Sequence, residues 1–151
     1  MDINLFDSPH LRENLKPFTF TRPLGDIRIG ILTIKEKWEA LGAKVGFNTI
    51  AYLSHVFEGL PKATPVNGSV IPTAALSEVI NALSTSEGLW HGELFVAGNI
   101  EGKPINWDGE LITFSNTWNI FELNRAQIIA DLELIKNQVK FVPLNDPHTI
   151  V

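Results

Sequence analysis

Cysteine is absent from this chain of 151 residues. Its absence excludes disulfide bridges, thiolate-bound metals and cysteine nucleophiles, and it leaves the redox compartment undetermined. No apolar run approaches the roughly 20 residues that cross a bilayer. The N-terminal segment, MDINLFDSPH, holds neither the basic nor the apolar part of a secretory signal. We therefore expect a cytoplasmic protein that has no membrane partner.

A broad basic surface is also missing, because Lys and Arg number 12 against 17 Asp and Glu, for a net charge of −5. Nucleic-acid binding needs such a surface, so no nucleic-acid partner is expected. The cations are concentrated locally, since Arg12, Lys16, Arg22 and Arg28 share one segment that follows a short apolar strand. Open α/β sheets bind ligands where strands end. This concentration indicates a small anionic ligand and suggests phosphate chemistry.

Extended and helical patterns alternate along the chain, and its length and 44% hydrophobic content suit one domain, residues 1–151. Residues 3–6 predict a buried strand. Thr33 and Glu36 predict a capping box at the start of a helix, and Gly42 predicts its end. A longer helix is predicted over residues 117–135. This alternation predicts an α/β fold of three layers around a mostly parallel sheet.

The other predicted elements are short. Strands are predicted at 44–47, 69–71, 89–90, 93–100, 111–114 and 138–144, a helix at 50–57, and turns at 91–92 and 145–148. Thr73 predicts the cap of a helix that continues to Leu83. Residues 59–68 contain two prolines and two glycines, which predict a connector.

The long predicted helix carries its own apolar pattern. Its stripe comprises Phe121, Ile128, Leu132 and Ile135. Trp118 and Phe121 are expected to anchor the helix to the sheet, with Asn116 or Thr117 as its cap. An alternative left open is that Asn119 and Asn124 of this helix face a bound sugar.

Several segments resemble one protein family. The pattern LxxNLxPFTFTRPxxDIRxGILTIxEKWE is similar to the opening of bacterial sugar nucleotidyltransferase-like proteins. The likeness extends through SVIPTAALSEVINAL, GELFVAG and TWNIFELNRAQIIADLELI, so it covers most of the chain. More distantly, the first segment resembles LxPLTxxxPKPLxxxxGxPxL of nucleotide-sugar pyrophosphorylases. Pro17, Thr19 and Pro23 fall on that distant pattern, and Arg22 stands where it has a lysine.

The resemblance implies an architecture and an activity. The architecture is that of the nucleotidyltransferases (Rossmann-like), in a shortened version. The activity is nucleotidyl transfer from a nucleoside triphosphate to a sugar 1-phosphate with release of pyrophosphate, and Mg²⁺ is the implied cofactor. Full-length members join this domain to a C-terminal left-handed β-helix. The chain is therefore expected to be a fragment or a separate first domain, with that β-helix or a second copy as its protein partner.

The resemblance and the local charge also imply residue roles. Arg12 and Arg22 are the predicted catalytic residues, because Arg12 corresponds to the arginine that closes the family's glycine-rich loop and Arg22 to its phosphate-contacting lysine. Both are expected to converge on one cleft, where guanidinium groups can bind phosphate oxygens in pairs. The predicted substrate-binding residues are Asp7, Ser8, Lys16, Asp26, Arg28 and Asn99. The alternative is that the arginines are surface groups paired with Glu13 and Asp26.

The sequence departs from the pyrophosphorylases at two places. Residues 7–14, DSPHLREN, contain no glycine where those enzymes bring a glycine-rich loop close to a triphosphate. Asn99 follows Gly98 where a metal-binding aspartate is usual, although a plain turn at Gly98 is the competing interpretation, and metal ligands stay unassigned. Two functions therefore stand side by side. One is the transferase, and the other is a non-catalytic domain that binds a sugar phosphate or nucleotide, or docks a partner.

Overall fold

A six-stranded sheet forms the centre of the computed structural model, which describes residues 1–136. The strands in chain order are β1 (Asp2–Phe6), β2 (Lys44–Asn48), β3 (Thr64–Asn67), β4 (Val70–Ile71), β5 (Glu87–His91), β6 (Leu94–Gly98), β7 (Lys103–Asn106) and β8 (Ile112–Thr113). The helices are α1 (Pro9–Asn14), α2 (Ile34–Ala40), α3 (Ala74–Ala82) and α4 (Thr117–Ile135), with 3₁₀ turns at Phe18–Phe20 and Leu24–Asp26. β4 and β8 pair with each other outside the central sheet.

The central sheet has the strand order β2-β1-β3-β6-β5-β7 and is mostly parallel. β1 pairs in parallel with β2 and β3, and β5 pairs in parallel with β7. Among these strands β6 alone is reversed, because it runs antiparallel to both β3 and β5. The predicted α/β class is confirmed, and so is the interior position of the first strand.

The strongest local signals of the sequence form the first part of the core. The hydroxyl of Thr33 accepts a hydrogen bond from the N–H of Glu36 at 3.1 Å, and the Glu36 carboxylate accepts one from the N–H of Thr33 at 2.7 Å. This capping box starts α2, and Gly42 follows its end at φ +85°. Trp38 of α2 is fully buried in the same apolar cluster as Ile3 of β1.

Polar contacts in the interior fasten α4 to the loop before α2. Asp131 accepts hydrogen bonds from the N–H groups of Ile31 at 2.8 Å and Leu32 at 3.0 Å, and it forms an ion pair with Lys37. Both side chains of that pair are 1% exposed. Burial lowers the pKa of Lys37, although the Asp131 carboxylate opposes the shift. Gly30, at φ +90°, permits this approach, since a Cβ there would lie 2.5 Å from Asp131 Oδ2.

Several shorter predictions are also confirmed. The hydroxyl of Thr73 accepts from the N–H of Leu76 at 3.2 Å and so caps α3. β5 and β6 form the expected antiparallel hairpin, with Gly92 at φ +59° in its turn. The predicted strands at 44–47 and 111–114 correspond to β2 and β8.

The prediction of a helix over 50–57 is wrong. The segment forms turns instead, in which the N–H groups of Leu53 and Phe57 bond to the carbonyls of Ile50 and Leu53. The hydroxyl of Ser54 bonds to the carbonyl of Ala51 at 2.8 Å, and such side-chain bonds compete with a helical ladder.

The predicted connector at 59–68 is also wrong, because it contains β3, and β7 was not predicted at all. Both strands hold a proline, Pro65 in β3 and Pro104 in β7. Proline cannot donate to a strand ladder and so argues against a strand in a sequence pattern. In the structure β3 pairs with β6 at Val66 and Ala97 and with β1 through Pro65 itself, and β7 lies at the edge of the sheet.

The bounds predicted for the last helix are confirmed, but its orientation is not. Trp118 and Phe121 are 58% and 76% exposed, so they do not anchor α4 to the sheet. The helix instead buries Gln127 and Asp131. Asn124 accepts a hydrogen bond from the N–H of Gly30 at 2.9 Å, so its amide helps to hold the loop. The predicted strand at 138–144 and turn at 145–148 lie outside the described residues.

Candidate functional site

The carboxyl ends of β1, β2 and β3 form one edge of the sheet. β2 lies on one side of β1 and β3 on the other, so the order of winding reverses between β1 and β3. Open α/β sheets bind ligands outside the carboxyl ends of strands at such a point. Asp7 directly follows β1 there, Asn48 ends β2, and Thr49 follows it.

A groove runs from these strand ends along one face of the sheet. Ile3 points to the other face, which packs on the core. The first part of the groove is a cleft of about 390 Å³ in which Asp7, Asn48 and Thr49 stand at the edge and Phe6 and Phe95 form an apolar wall. The rings of Phe6 and Phe95 stack with centroids 5.8 Å apart. Small-molecule sites combine apolar walls with a few polar groups in this way.

The groove continues along the sheet toward the end where β3 begins and β6 finishes. A second cleft of about 370 Å³ shares Pro65, Gly98 and Ile100 with the first and extends to Thr85 and Asn99. We call the two together the sheet-face groove. Its lining comes from four strands, β1, β2, β3 and β6, and this extent suits an elongated ligand better than a single phosphate.

Asp7 organises the loop at the near end of this groove. Its side chain is 3% exposed and accepts hydrogen bonds from the Arg12 guanidinium at 2.6 Å, the Thr49 hydroxyl at 2.5 Å and the Leu24 N–H at 2.8 Å. Charge-assisted bonds of this kind are the strong ones. Asp7 therefore ties the segment after β1 to the segment after β2, and both of its oxygens are engaged.

Arg12 is buried beneath the same loop and donates hydrogen bonds to it. The residue is 7% exposed, and its guanidinium donates to the carbonyl of Thr19 and lies 3.4 Å from the carbonyl of Arg22. The hydroxyl of Thr19 donates back to the Arg12 carbonyl at 2.7 Å. Arg12 also borders a small cleft that Tyr52 lines. The guanidinium thus satisfies backbone carbonyls of its own loop.

Arg22 faces a different cleft, of about 400 Å³, together with Arg28 and Lys35. Two carboxylates share this cationic cleft. Burial raises the pKa of Asp26 while Arg22 opposes the shift, and a hydrogen bond from a backbone N–H lowers the pKa of Glu36. Glu36 lies 3.5 Å from Arg28. Three cations against two acids leave the cleft attractive to an anion.

The expected convergence of Arg12 and Arg22 on one cleft is therefore wrong. The Arg12 guanidinium points into the loop, where it donates to backbone carbonyls, whereas the Arg22 side chain is exposed. Within residues 1–136, no ion pair engages the Arg22 side chain. Arg22 keeps its donors available to a ligand, and Arg12 does not.

The other predicted site residues lie apart from one another. Lys16 is paired with Glu13 at 2.5 Å on the surface, and Ser8 is half-buried just before α1. Asn99 accepts from the N–H of Glu101 at 3.0 Å, in a turn that follows Gly98 at φ +89°. Because β6 is reversed, Asn99 emerges at the edge opposite Asp7.

Sequence reasoning did not identify several residues that border the clefts, namely Asn48, Thr49, Tyr52, Pro65, Phe95 and Lys35. The signal that could have found the first two is their position at the end of the second predicted strand. The remaining ones come together only through sheet pairing and loop packing. Their roles and those of the predicted residues stay predictions.

The side chains at the near end of the groove do not fit a protein-held Mg²⁺. Asp7 supplies the carboxylate there, but it is buried and engaged by three donors. Magnesium needs carboxylate oxygens that can accept a rigid octahedral geometry. Among residues 1–136, no three His, Asp or Glu side chains stand close enough to hold a metal ion.

Comparisons with known proteins bear on the identity of this fold. No curated protein matches the chain. None of the helices in residues 1–136 combines the length and the apolar character needed to cross a bilayer. The model of a family described as sugar nucleotidyl transferase matches residues 3–140. Because that match covers nearly the whole chain, from β1 beyond the end of α4, the chain belongs to the sugar nucleotidyl transferase family.

Proposed function

We propose that this chain acts in nucleotidyl transfer from a nucleoside triphosphate to a sugar 1-phosphate. In that reaction a phosphate oxygen of the sugar phosphate attacks the α-phosphorus of the triphosphate, the bond between the α- and β-phosphates breaks, and pyrophosphate leaves. The observation that carries the proposal is the sheet-face groove, which begins at the topological switch point of a chain matched by the family.

The roles proposed for the residues follow from their availability. Phe6 and Phe95 offer apolar surface to a base or sugar ring, and Asn48 and Thr49 offer hydrogen bonds at the edge. Arg22 and Arg28 line the separate cationic cleft, and we infer that these exposed cations bind the phosphate oxygens of a ligand that reaches from the groove past the loop held by Asp7. Arg12 positions the loop through Asp7 rather than contacting phosphate itself.

A specific observation favours a second function, which is binding of a nucleotide or sugar phosphate without turnover. The carboxylate at the switch point, Asp7, is engaged by three donors, so it is poorly placed to bind a metal that would neutralise the developing charge. Binding in the groove would persist without that carboxylate.

The two functions are distinguished by measuring binding and turnover on the same preparation. A pyrophosphate-release assay with Mg²⁺ and a panel of triphosphates and sugar 1-phosphates should give product if the transferase proposal holds, at a rate on the order of 10 per second for an ordinary enzyme. Ligand binding by calorimetry without pyrophosphate release would support the second function. The absence of both binding and release across the panel would refute both.

The contribution of Arg22 is tested by Arg22→Ala. Loss of a charge-assisted hydrogen bond should weaken binding of the triphosphate by about 1.5–3 kcal/mol. The matched control is Lys44→Ala, because Lys44 is an exposed cation at the amino end of β2, away from the clefts. An equal loss in both variants would mean that the effect of Arg22 is only that of net charge.

A further inference from the structure

The side of α4 that faces away from the core carries apolar and charged residues in an ordered pattern. Ile129 is 60% exposed near the middle of this side, and Glu122, Arg125, Glu133 and Lys136 are charged residues around it. At about 100° per residue, all four charged residues lie within roughly 40° of Ile129 around the helix. The five residues, which we call the α4 seam, therefore share one face.

In the α4 seam, residues at equal distances before and after Ile129 carry opposite charges. Arg125 and Glu133 lie equally far from Ile129 on its two sides, and so do Glu122 and Lys136. Each position on one side thus has a residue of opposite charge at the mirrored position. A helix of this kind is complementary to a copy of itself that runs in the opposite direction.

We propose that α4 pairs with α4 of a second copy of this chain, antiparallel, with the two-fold axis at Ile129. Glu133 and Lys136 pair with each other along one helix, but both side chains are exposed and such surface pairs contribute little. In the proposed dimer the two Ile129 side chains meet at the axis, Arg125 faces Glu133 of the other copy, and Glu122 faces Lys136, so the contact within one helix is exchanged for contacts across the interface. A two-fold interface uses the same patch on both copies, so each ion pair occurs twice.

Two further observations support a protein partner on this face. Trp118 and Leu132, exposed by 58% and 40%, add apolar surface beside the seam, and exposed apolar groups rimmed by charges mark interaction sites. The opposite side of α4 is fixed to the rest of the molecule by Asp131 and Asn124. The seam is therefore presented on a helix that is held in place.

A second copy is favoured over other occupants because it explains the arrangement of the charges. A membrane surface would select cations along the polar side, whereas the seam holds two anions and two cations. An unrelated protein would require no symmetry about Ile129. The wild-type chain should accordingly show a concentration-dependent monomer–dimer equilibrium.

The test is the mass of the full chain by sedimentation equilibrium over about 1–200 μM, with circular dichroism as the check of folding. Arg125→Glu should raise the dimer dissociation constant at least tenfold, since it sets two like charges opposite each other twice. Glu133→Arg should do the same, and the double variant with both changes should return to within about threefold of wild type. The matched control for Glu133→Arg is Glu78→Arg, an exposed site of α3 that should leave the mass unchanged.

Ile129→Ser provides a second variant, which changes no charge. Because Ile129 is exposed, the substitution should leave the domain folded. It should also weaken the dimer at least tenfold. A wild-type chain that is monomeric at 200 μM would overturn the proposal, and so would a dimer that survives both Arg125→Glu and Ile129→Ser. Folded single variants that dissociate without rescue in the double variant would likewise reject this pairing.

Discussion

Asp131→Asn is the substitution that should most clearly separate what holds this fold from what binds ligand. The amide oxygen of the substituted side chain can still accept from the N–H groups of Ile31 and Leu32, but Lys37 loses its counter-charge in a site that is 1% exposed. Removing one member of a buried ion pair typically costs about 3–5 kcal/mol. Small domains are stable by only about 5–15 kcal/mol, so the substitution should remove a large share of the free energy of unfolding.

The assay is urea unfolding followed by tryptophan fluorescence, for which the buried Trp38 is a natural reporter. With a slope of about 2 kcal/mol per molar urea, the midpoint should fall by about 1.5–2.5 M. The double variant Lys37→Met with Asp131→Asn removes both charges while keeping the acceptor for the loop. It should recover most of the loss, because replacing a whole buried pair is often close to neutral.

A pH series gives the same reasoning an independent check. Burial lowers the pKa of Lys37, and without the Asp131 carboxylate the main opposition to that shift is lost. The native state of Asp131→Asn then binds fewer protons than the unfolded state, so its stability should rise with pH until the unfolded lysine pKa near 10.4. Equal instability of the single and double variants would refute the ion-pair explanation. So would a loss of unfolding free energy in Asp131→Asn that stays constant between about pH 7 and pH 10.

Three further outcomes are expected. Gly30→Ala should destabilise the fold by about 1–3 kcal/mol in urea unfolding, because a Cβ at φ +90° would meet Asp131 Oδ2 at 2.5 Å; an unchanged midpoint would show that the loop moves freely. Thr33→Ala should cost about 1 kcal/mol. The native pKa of Glu36 is lowered, so its contribution is present above the unfolded pKa of about 4.3 and is lost as pH falls through the native value. Alanine at 33 keeps the N–H that this carboxylate accepts, so Glu36→Gln is the variant that should remove the pH dependence, and a cost of Thr33→Ala near zero would contradict the capping role. Asp7→Asn should raise the rate of backbone hydrogen exchange in the loop after β1, and exchange like that of wild type would mean that the three bonds of Asp7 are dispensable.

The sequence predicted those elements whose signals are local. α2 and α3 begin directly after Thr33 and Thr73, whose hydroxyls cap them, and such contacts span only three residues. Strands with proline were missed, because Pro65 and Pro104 argue against a strand locally while pairing with distant strands decides in its favour. Tertiary context overrode the local preference at both places.

The face of α4 was assigned wrongly for a different reason. Hydropathy placed Phe121 inside, whereas the helix is held by the carboxylate of Asp131 and the amide of Asn124. A buried charge has no sequence signal until its partner is known, and Lys37 is far away in the chain. The candidate site was predicted wrongly for a similar reason. Arg12 and Arg22 share one short segment of the sequence, but the Arg12 side chain is engaged by two carbonyls and the carboxylate of Asp7, whereas that of Arg22 lines a separate cleft.

Two of the segments that carry the resemblance to the family contact each other, and this has a consequence for testing the function. Gly30 and Lys37 of residues 11–39 contact Asn124 and Asp131 of residues 117–135. Part of the resemblance therefore concerns residues that hold α4 against α2 and the loop before it. Substitutions at these positions act first on the stability of the domain, so a loss of function there would not identify its chemistry. Substitutions at Arg22, which is exposed, would leave that fastening intact. A loss of ligand binding in Arg22→Ala at unchanged stability would therefore report on the site itself, and such groups are where the transferase proposal has to be tested.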